Sequence, residues 1–418
     1  MLAGFRQTVL KVPNWFWVSL SCGLYWFAHS MTRPVIALYG ADLGLSPSRI
    51  SAILTVYAFV PMLLAIPGGS LADALGRIRV LRWGALLMVL SGCLYVAGRT
   101  FAMMLAAQLL AGVGQMAVWL VVQVLITDEE TGEGQHKRIA TFSAYMVLGQ
   151  LLAPLAGGLI ADTAGYPAVF AAYVAICALL YLVVWFCRET KAKMERHRAA
   201  WPHFATMCAK SWRLLRNRLF AATLWCTFIV LFIIDVRMTF LPLYLQPVMS
   251  NTELGSLVSV GALSGLFVRP LYPWLMRRHS YRAILSATFA VSLCLLLFTP
   301  LLKHYIAFLV LVFVAGIALG INQPLTLSLI SRSTPVEDRG LGVGLRLMAN
   351  RGSQMLDPVL FGLFAASVGM SGAFWLVGLL LLVCSAYTVY LFSRHERTRD
   401  ADAGVPASPA SPLERAGR

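Results

Sequence analysis

A chain of 418 residues with 59% hydrophobic and only 12% charged residues, at a mean hydropathy of +0.74, is too apolar for a water-soluble domain, in which about a quarter of residues are charged. A net charge of +16 would suit a nucleic-acid partner if it coated a surface, but the Lys and Arg residues sit in short runs between long apolar blocks. Those blocks do not alternate as barrel strands do, so the chain reads as an all-α membrane protein that binds no nucleic acid.

Twelve spans are expected, near residues 15–38, 50–70, 80–98, 101–127, 140–161, 166–187, 219–246, 253–275, 283–301, 305–330, 341–366 and 372–393. Each is long enough to cross roughly 30 Å of hydrocarbon. Outside the spans, the basic residues other than Arg49, Arg99 and Lys303 fall on the side that holds both termini. By the positive-inside rule that side is the cytoplasm. The first apolar segment is long enough to remain as a span and is not followed by a cleavage site. The expected home is therefore a bacterial inner (plasma) membrane, crossed many times, with the lipid bilayer as a partner.

The spans divide six and six around a basic stretch. This predicts an N-terminal six-helix bundle over 1–187, a cytoplasmic linker over 188–218, a C-terminal six-helix bundle over 219–393 and a disordered cytoplasmic tail over 394–418. In the linker Trp201, Phe204, Cys208, Trp212 and Leu215 recur every three or four residues among basic neighbours, the pattern of an amphipathic helix on a membrane surface. A basic turn after the second span has a loose counterpart after the eighth, Tyr272-Pro-Trp-Leu-Met-Arg-Arg-His279, as duplicated bundles would give. Eight cysteines are scattered singly, without CxxC or metal-ligand spacing. They read as small packing residues, and no metal or cofactor is expected.

Between the second and third spans stands Gly69-Ser-Leu-Ala-Asp73-Ala-Leu-Gly76-Arg77-Ile-Arg79-Val-Leu81. Gly69 lets a neighbouring helix come close, Gly76 permits a tight reversal, and Asp73 sits beside Arg77 and Arg79. This run resembles the signature loop of the major facilitator superfamily, G-x-L-a-D-r-x-G-r-(k/r)-x-x-l, with Ala74 where the pattern has a basic residue after the Asp. The resemblance implies two pseudo-symmetric six-helix bundles and a secondary transporter. It also implies that Asp73 and its arginines form a latch that closes the cytoplasmic side in one state.

The fifth span carries Gly149-Gln-Leu-Leu-Ala153-Pro154-Leu-Ala-Gly157-Gly158. Its small residues at 149, 153 and 157 share one face, and Pro154 predicts a kink. It is similar to the G-x-x-x-G-P-x-x-G-G pattern of the drug:proton antiporters in that superfamily, with Ala153 for one Gly, which favours export over import. In the fourth span Gln108 stands where such antiporters often carry Arg, so any proton coupling must rest on another residue.

A charge inside the bilayer needs a partner or a wet cavity. Asp235, Asp357, Arg33, Arg237, Arg269, Arg346 and Arg351 fall inside spans. Arg346, Asn350, Ser353 and Asp357 lie within one arc of the eleventh span, while Arg351 points elsewhere. Tyr25, His29 and Arg33 share one face of the first span, and Gln108, Gln115 and Trp119 one side of the fourth. The resembling fold lines its cavity with spans 1, 4, 7 and 10. Expected substrate-binding residues are Tyr25, His29, Arg33, Gln115, Trp119, Gln323 and Asn350. Asp235, with Asp357, is the expected proton carrier and His29 its rival. Five arginines against two acids suggest an anionic solute, which guanidinium forks bind well.

The reading is a monomeric, proton-gradient-driven exporter of a small amphipathic or anionic solute such as a drug, siderophore or metabolite. The alternatives are a proton-coupled importer of an organic anion and a non-transporting receptor or scaffold. No paired-carboxylate, Ser/His or metal constellation suggests an enzyme.

Overall fold

The computed structural model describes residues 12–64, 72, 75–128, 133–189, 204–268, 270, 272–335 and 338–402. The first six helices are α1 (Asn14–Asp42), α2 (Pro47–Leu64), α3 (Arg77–Ala97), α4 (Phe101–Asp128), α5 (Glu133–Ala164) and α6 (Tyr166–Val184). After them come α7 (Phe204–Arg216), α8 (Arg218–Leu245), α9 (Asn251–Phe267), the short α10 (Tyr272–Arg278), α11 (Tyr281–Phe298), α12 (Tyr305–Ser333) and α13 (Arg339–Asp402). Nine helices of the described residues are long and apolar enough to cross a membrane. One of these, α13, is broken at Gly369, whose φ of 76° lies where a side chain is strained. Its two arms each serve as a span. With α1 and α9, of 29 and 17 residues, they complete the twelve-span bundle.

The bundle is inverted relative to a soluble core. Trp83, Leu182, Leu363 and Val383 are among the large apolar side chains turned outward, whereas Arg33, Gln108, Gln115, Asp235, Arg237 and Asp357 are buried. Only a hydrocarbon surround makes such an exterior stable. The chain is therefore a multi-pass membrane protein.

Helix pairing repeats between the halves. In the first half α1 packs on α5, α2 on α4, and α3 on α4 and α6; in the second, α8 packs on α13, α9 on α12, and α11 on α12 and α13. The halves meet through α5 with α9, α2 with α13, and α1 with α8. Close approach depends on small residues: a Cβ at Gly84 of α3 would fall 2.9 Å from the Gly114 carbonyl of α4.

Helix ends follow local chemistry. Asn217 caps α8 by accepting from the Leu219 and Phe220 N–H groups, and Ser280 caps α11. The eighth span was expected to run to residue 275, but α9 stops at Phe267. Pro270 has no N–H with which to extend it.

Of the linker stripe, Trp201 lies outside the described residues, and Cys208, Trp212 and Leu215 face outward on α7. The helix is anchored instead by Leu214, packed with Phe220, Ile330 and Leu345. Lys210, four residues before Leu214, and Arg213 reach Asp338 at 3.3 and 3.0 Å. At the other end, α13 stays helical to Asp402, past the point where a disordered tail was expected.

Candidate functional site

Halfway along the bundle, α1 presents Tyr25, His29 and Arg33 at four-residue intervals, one helical face. Arg33 donates to Asp235 of α8 at 3.1 Å, and both side chains are 5% exposed. This ion pair joins the two halves. Removing one partner of such a buried pair costs about 3–5 kcal/mol, because the other charge is stranded. Asp357, on the first arm of α13, is 1% exposed, and neither of its oxygens accepts a hydrogen bond from a described residue. It lies close enough to Asp235 and Arg33 to feel both charges. Arg33 and Asp357 each immediately precede a proline, Pro34 and Pro358, within their helices. A proline frees the carbonyl four residues before it, so the charges sit where the backbone is also polar.

A ladder of near-parallel rings faces these charges. Trp119 of α4 stacks on Tyr25 at 5.8 Å between centroids, Tyr25 on His29 at 6.2 Å, and His29 on Tyr57 of α2 at 5.9 Å. The Gln115 amide donates to His29 Nδ1 at 2.8 Å, and the Tyr57 hydroxyl stands 3.4 Å from the same nitrogen. The Arg33 guanidinium lies 5.2 Å from the Tyr57 ring centroid. From the other half the half-buried Arg351 reaches the phenols of Tyr25 and Tyr57 and donates to Gln354 Oε1 at 2.7 Å. Behind His29 and Arg33 lies a recess of about 10 Å³ bordered by Tyr57, Tyr95, Gln108 and Gln115. Tyr95 Oη, Gln108 Nε2 and Gln115 Oε1 are buried there without a partner among the described residues. That volume and those atoms suit one water.

The structure thus gathers Tyr25, His29, Arg33, Gln115, Trp119, Asp235 and Asp357 at one level. Asn350 shares the Asp357 face two turns away, its Oδ1 buried and without a partner among the described residues. The Gln323 side chain lies outside the described residues. Tyr57 and Arg351 join the site without having been singled out as substrate-binding residues. Tyr57 has no polar neighbour in sequence to mark its face, whereas Arg351 was recognisable as an intramembrane charge. The surplus of arginine does not carry over, because around the ring ladder two arginines face two aspartates. Arg346 instead donates to Thr326 at 3.4 Å. Arg237, 4% exposed, lies against Gly261, its Nε and Nη1 without a partner among the described residues. Arg269 is outside the described residues.

Of the signature loop, Gly69 and Asp73 lie outside the described residues. Gly76 takes φ 92° before α3. The N–H groups of Arg77 and Ile78 donate to the Glu189 carboxylate at 3.0 and 3.1 Å, so Glu189 faces the positive end of α3. Arg79 lines a groove with Arg82, whose guanidinium stacks 4.1 Å from the Trp185 ring. In the fifth-span motif, Cβ atoms at Gly149 and Gly157 would meet α1 backbone, Gly23 O and Met31 O, each at 2.9 Å. Gly158 abuts the Asn251 carbonyl of α9, and the Pro154 carbonyl abuts Gly255. One motif therefore packs α5 on its own half and on the other.

At the end of the bundle opposite the termini, the halves are tied by hydrogen bonds. Asp162 of α5 accepts from Asn251 N and Nδ2 at 2.9 and 2.8 Å, and from Thr252 N and Oγ1 at 2.7 and 2.6 Å. Tyr166 donates to Asn251 Oδ1 at 2.9 Å and accepts from Gln246.

The family profile described as Major Facilitator Superfamily matches residues 18–306 and 240–417. The quinolone resistance protein NorA of Staphylococcus aureus (strain COL) is 22% identical over 361 residues, 85% of this chain and 89% of NorA. Among solved structures, a POT peptide transporter superposes with a TM-score of 0.75 at 16% identity, over 93% of this chain and 98% of that one. A bacterial homologue of the human lysosomal transporter Spinster, in an inward-facing and unoccupied conformation, gives 0.73 at 15% identity, over 97% and 99%. Profile, pairing pattern and buried interhelical charges agree, and the chain belongs to the major facilitator superfamily, a family of transporters and not of enzymes.

Proposed function

We propose that the chain is a proton-coupled secondary transporter that exports a small amphipathic or anionic solute by alternating access, driven by the proton gradient without a cofactor. The observation that carries the reading is the buried Arg33–Asp235 pair, which binds α1 to α8 across the halves. Adding a proton to Asp235 removes the charge that holds Arg33, and Asp357 stands beside them as a second acceptor. Breaking the pair loosens the junction that the halves must part to change access. The ladder of Trp119, Tyr25, His29 and Tyr57 supports a flat, partly apolar solute, and Arg351, whose partners here are neutral, supports one with an anionic group. The name of NorA speaks of quinolone resistance, and this favours export of a drug-like molecule.

In this reading residues 1–187 and 219–393 are the moving lobes, 188–218 the linker and 394–418 the tail. The protein is a monomer in a cytoplasmic (inner) membrane with both termini inside, and Asp73 with Arg77 and Arg79 latches the inner face. Import of an organic anion is the second reading, and Arg351 favours it as far as cargo is concerned.

The test uses proteoliposomes with a pH gradient. Asp235→Asn keeps a hydrogen-bond acceptor for Arg33 but cannot carry a proton. It should lose gradient-driven flux while retaining solute counterflow, which needs no net proton movement. Undiminished gradient-driven flux in Asp235→Asn removes Asp235 from the mechanism. Failure of counterflow in the unaltered protein with every solute of a panel of organic anions, cations and siderophores removes transport itself and leaves a scaffold.

A further inference from the structure

A groove of about 470 Å³ opens where α7, α8 and the second arm of α13 meet, on the termini side of the second half. Among the described residues its charged lining is basic: Arg216 ends α7, Arg218 begins α8 and Arg394 comes from α13. Its apolar lining includes Trp225, Tyr387 and Tyr390, all about half exposed. The order along the helices is the informative part. Trp225 follows Arg218 by seven residues on α8, and Tyr387 precedes Arg394 by seven on α13. Seven residues are two turns, so on both helices an aromatic side chain stands about 10 Å deeper than an arginine on the same face. Arginine at the rim and aromatics one step inward match the order of a phospholipid, phosphate outermost and glycerol with acyl chain beneath.

We propose that this groove binds an anionic phospholipid, its phosphate held by Arg216 and Arg218 and its acyl region laid against Trp225 and Tyr387. Charge complementarity selects the occupant. A zwitterionic lipid would bring its own cation among the arginines, whereas a singly anionic headgroup leaves a net charge for them to neutralise. The comparable groove on the first half, lined by Arg79, Arg82 and Trp185, also carries the carboxylate of Glu189, which repels an anion. The site therefore discriminates between halves. A lipid seated there would also bridge α7 to α8 and α13, bracing the linker helix that Leu214 and Asp338 hold from the other side. This inference rests on the membrane-spanning fold and not on any transported solute.

The test is native mass spectrometry of the full-length protein in detergent, titrated with phosphatidylglycerol or phosphatidylcholine of identical acyl chains. Phosphatidylglycerol should bind more tightly, and Arg216→Gln with Arg218→Gln should weaken it by about fivefold each, or about 25-fold together. Both arginines are exposed, so the lipid-free melting temperature of the double variant should match the parent and separate lost binding from lost folding. Trp225→Ala should weaken phosphatidylglycerol in the same assay. Equal affinity for the two lipids, or unchanged phosphatidylglycerol binding in the double arginine variant, overturns the proposal. So does full displacement of the lipid by millimolar inorganic phosphate, which would make the groove a site for the free anion.

Discussion

Asp162→Ala removes the strongest tie between the halves at the end opposite the termini, and its effect can be worked from the bonds of one helix start. The first four N–H groups of a helix have no partner within it. At α9, Ser250 N–H donates to Glu253 Oε2 and Glu253 N–H to Ser250 Oγ, a capping box. The N–H groups of Asn251 and Thr252 are taken by Asp162 from α5. Half of this helix cap thus belongs to the other half of the molecule, with a carboxylate at the positive helix end. Bonds to a charged acceptor contribute about 1.5–3 kcal/mol where water is excluded. Asp162 is exposed, so screening brings the two backbone bonds to about 1 kcal/mol each. A loss of about 2 kcal/mol moves the balance between closed and open far ends roughly 30-fold. Spin labels at Thr163 and Val248, both exposed, should report this by pulsed electron resonance in nanodiscs. The short-distance population should shrink in Asp162→Ala and shrink less in Asp162→Asn, which keeps one acceptor oxygen. Identical distance distributions in all three proteins would refute the idea that this cap holds the halves together.

Gly261→Ala should destabilise the protein by about 1–3 kcal/mol in thermal melts, since a Cβ there would lie 3.0 Å from Val312 and collide with the Arg237 guanidinium. Adding Arg237→Met should restore part of the loss, and no restoration would place the strain elsewhere. Asp338→Asn should change melting by less than about 1 kcal/mol, because Lys210 and Arg213 are 49% and 70% exposed. It should nonetheless speed protease cleavage of the linker, and an unchanged cleavage rate would show that Leu214 alone holds α7.

Much of the fold is legible in the chain because hydrocarbon imposes a simple rule: a span must be long, apolar and helical. The errors fall where that rule is silent. Hydropathy does not register that Pro270 ends α9, nor that Leu214, rather than Leu215, turns α7 inward. The site was legible in part for a related reason. Buried charge is costly, so Arg33, Asp235 and Asp357 stood out on sight, and the face shared by Tyr25, His29 and Arg33 followed from helical spacing. Periodicity assigns a residue to a face of its own helix but not to a neighbour. It showed Arg351 diverging from Asp357 without showing that it reaches Tyr25 and Tyr57. Counting charges likewise treated five arginines as one population, whereas packing sends Arg237 and Arg346 into the second half. Asp162 drew no notice because an acid at a span end is ordinary; only the start of α9 opposite gives it a task.

The Arg33–Asp235 pair also has a history within each molecule. Its members are 202 residues apart in the chain, and synthesis at about 5–20 residues per second separates their appearance by roughly 10–40 s. For that interval the newborn first half carries the Arg33 guanidinium without Asp235. A guanidinium in lipid draws in water or thins the bilayer locally, a cost that α1 bears until α8 arrives. Biogenesis of this protein therefore turns on the late segment rescuing the early one.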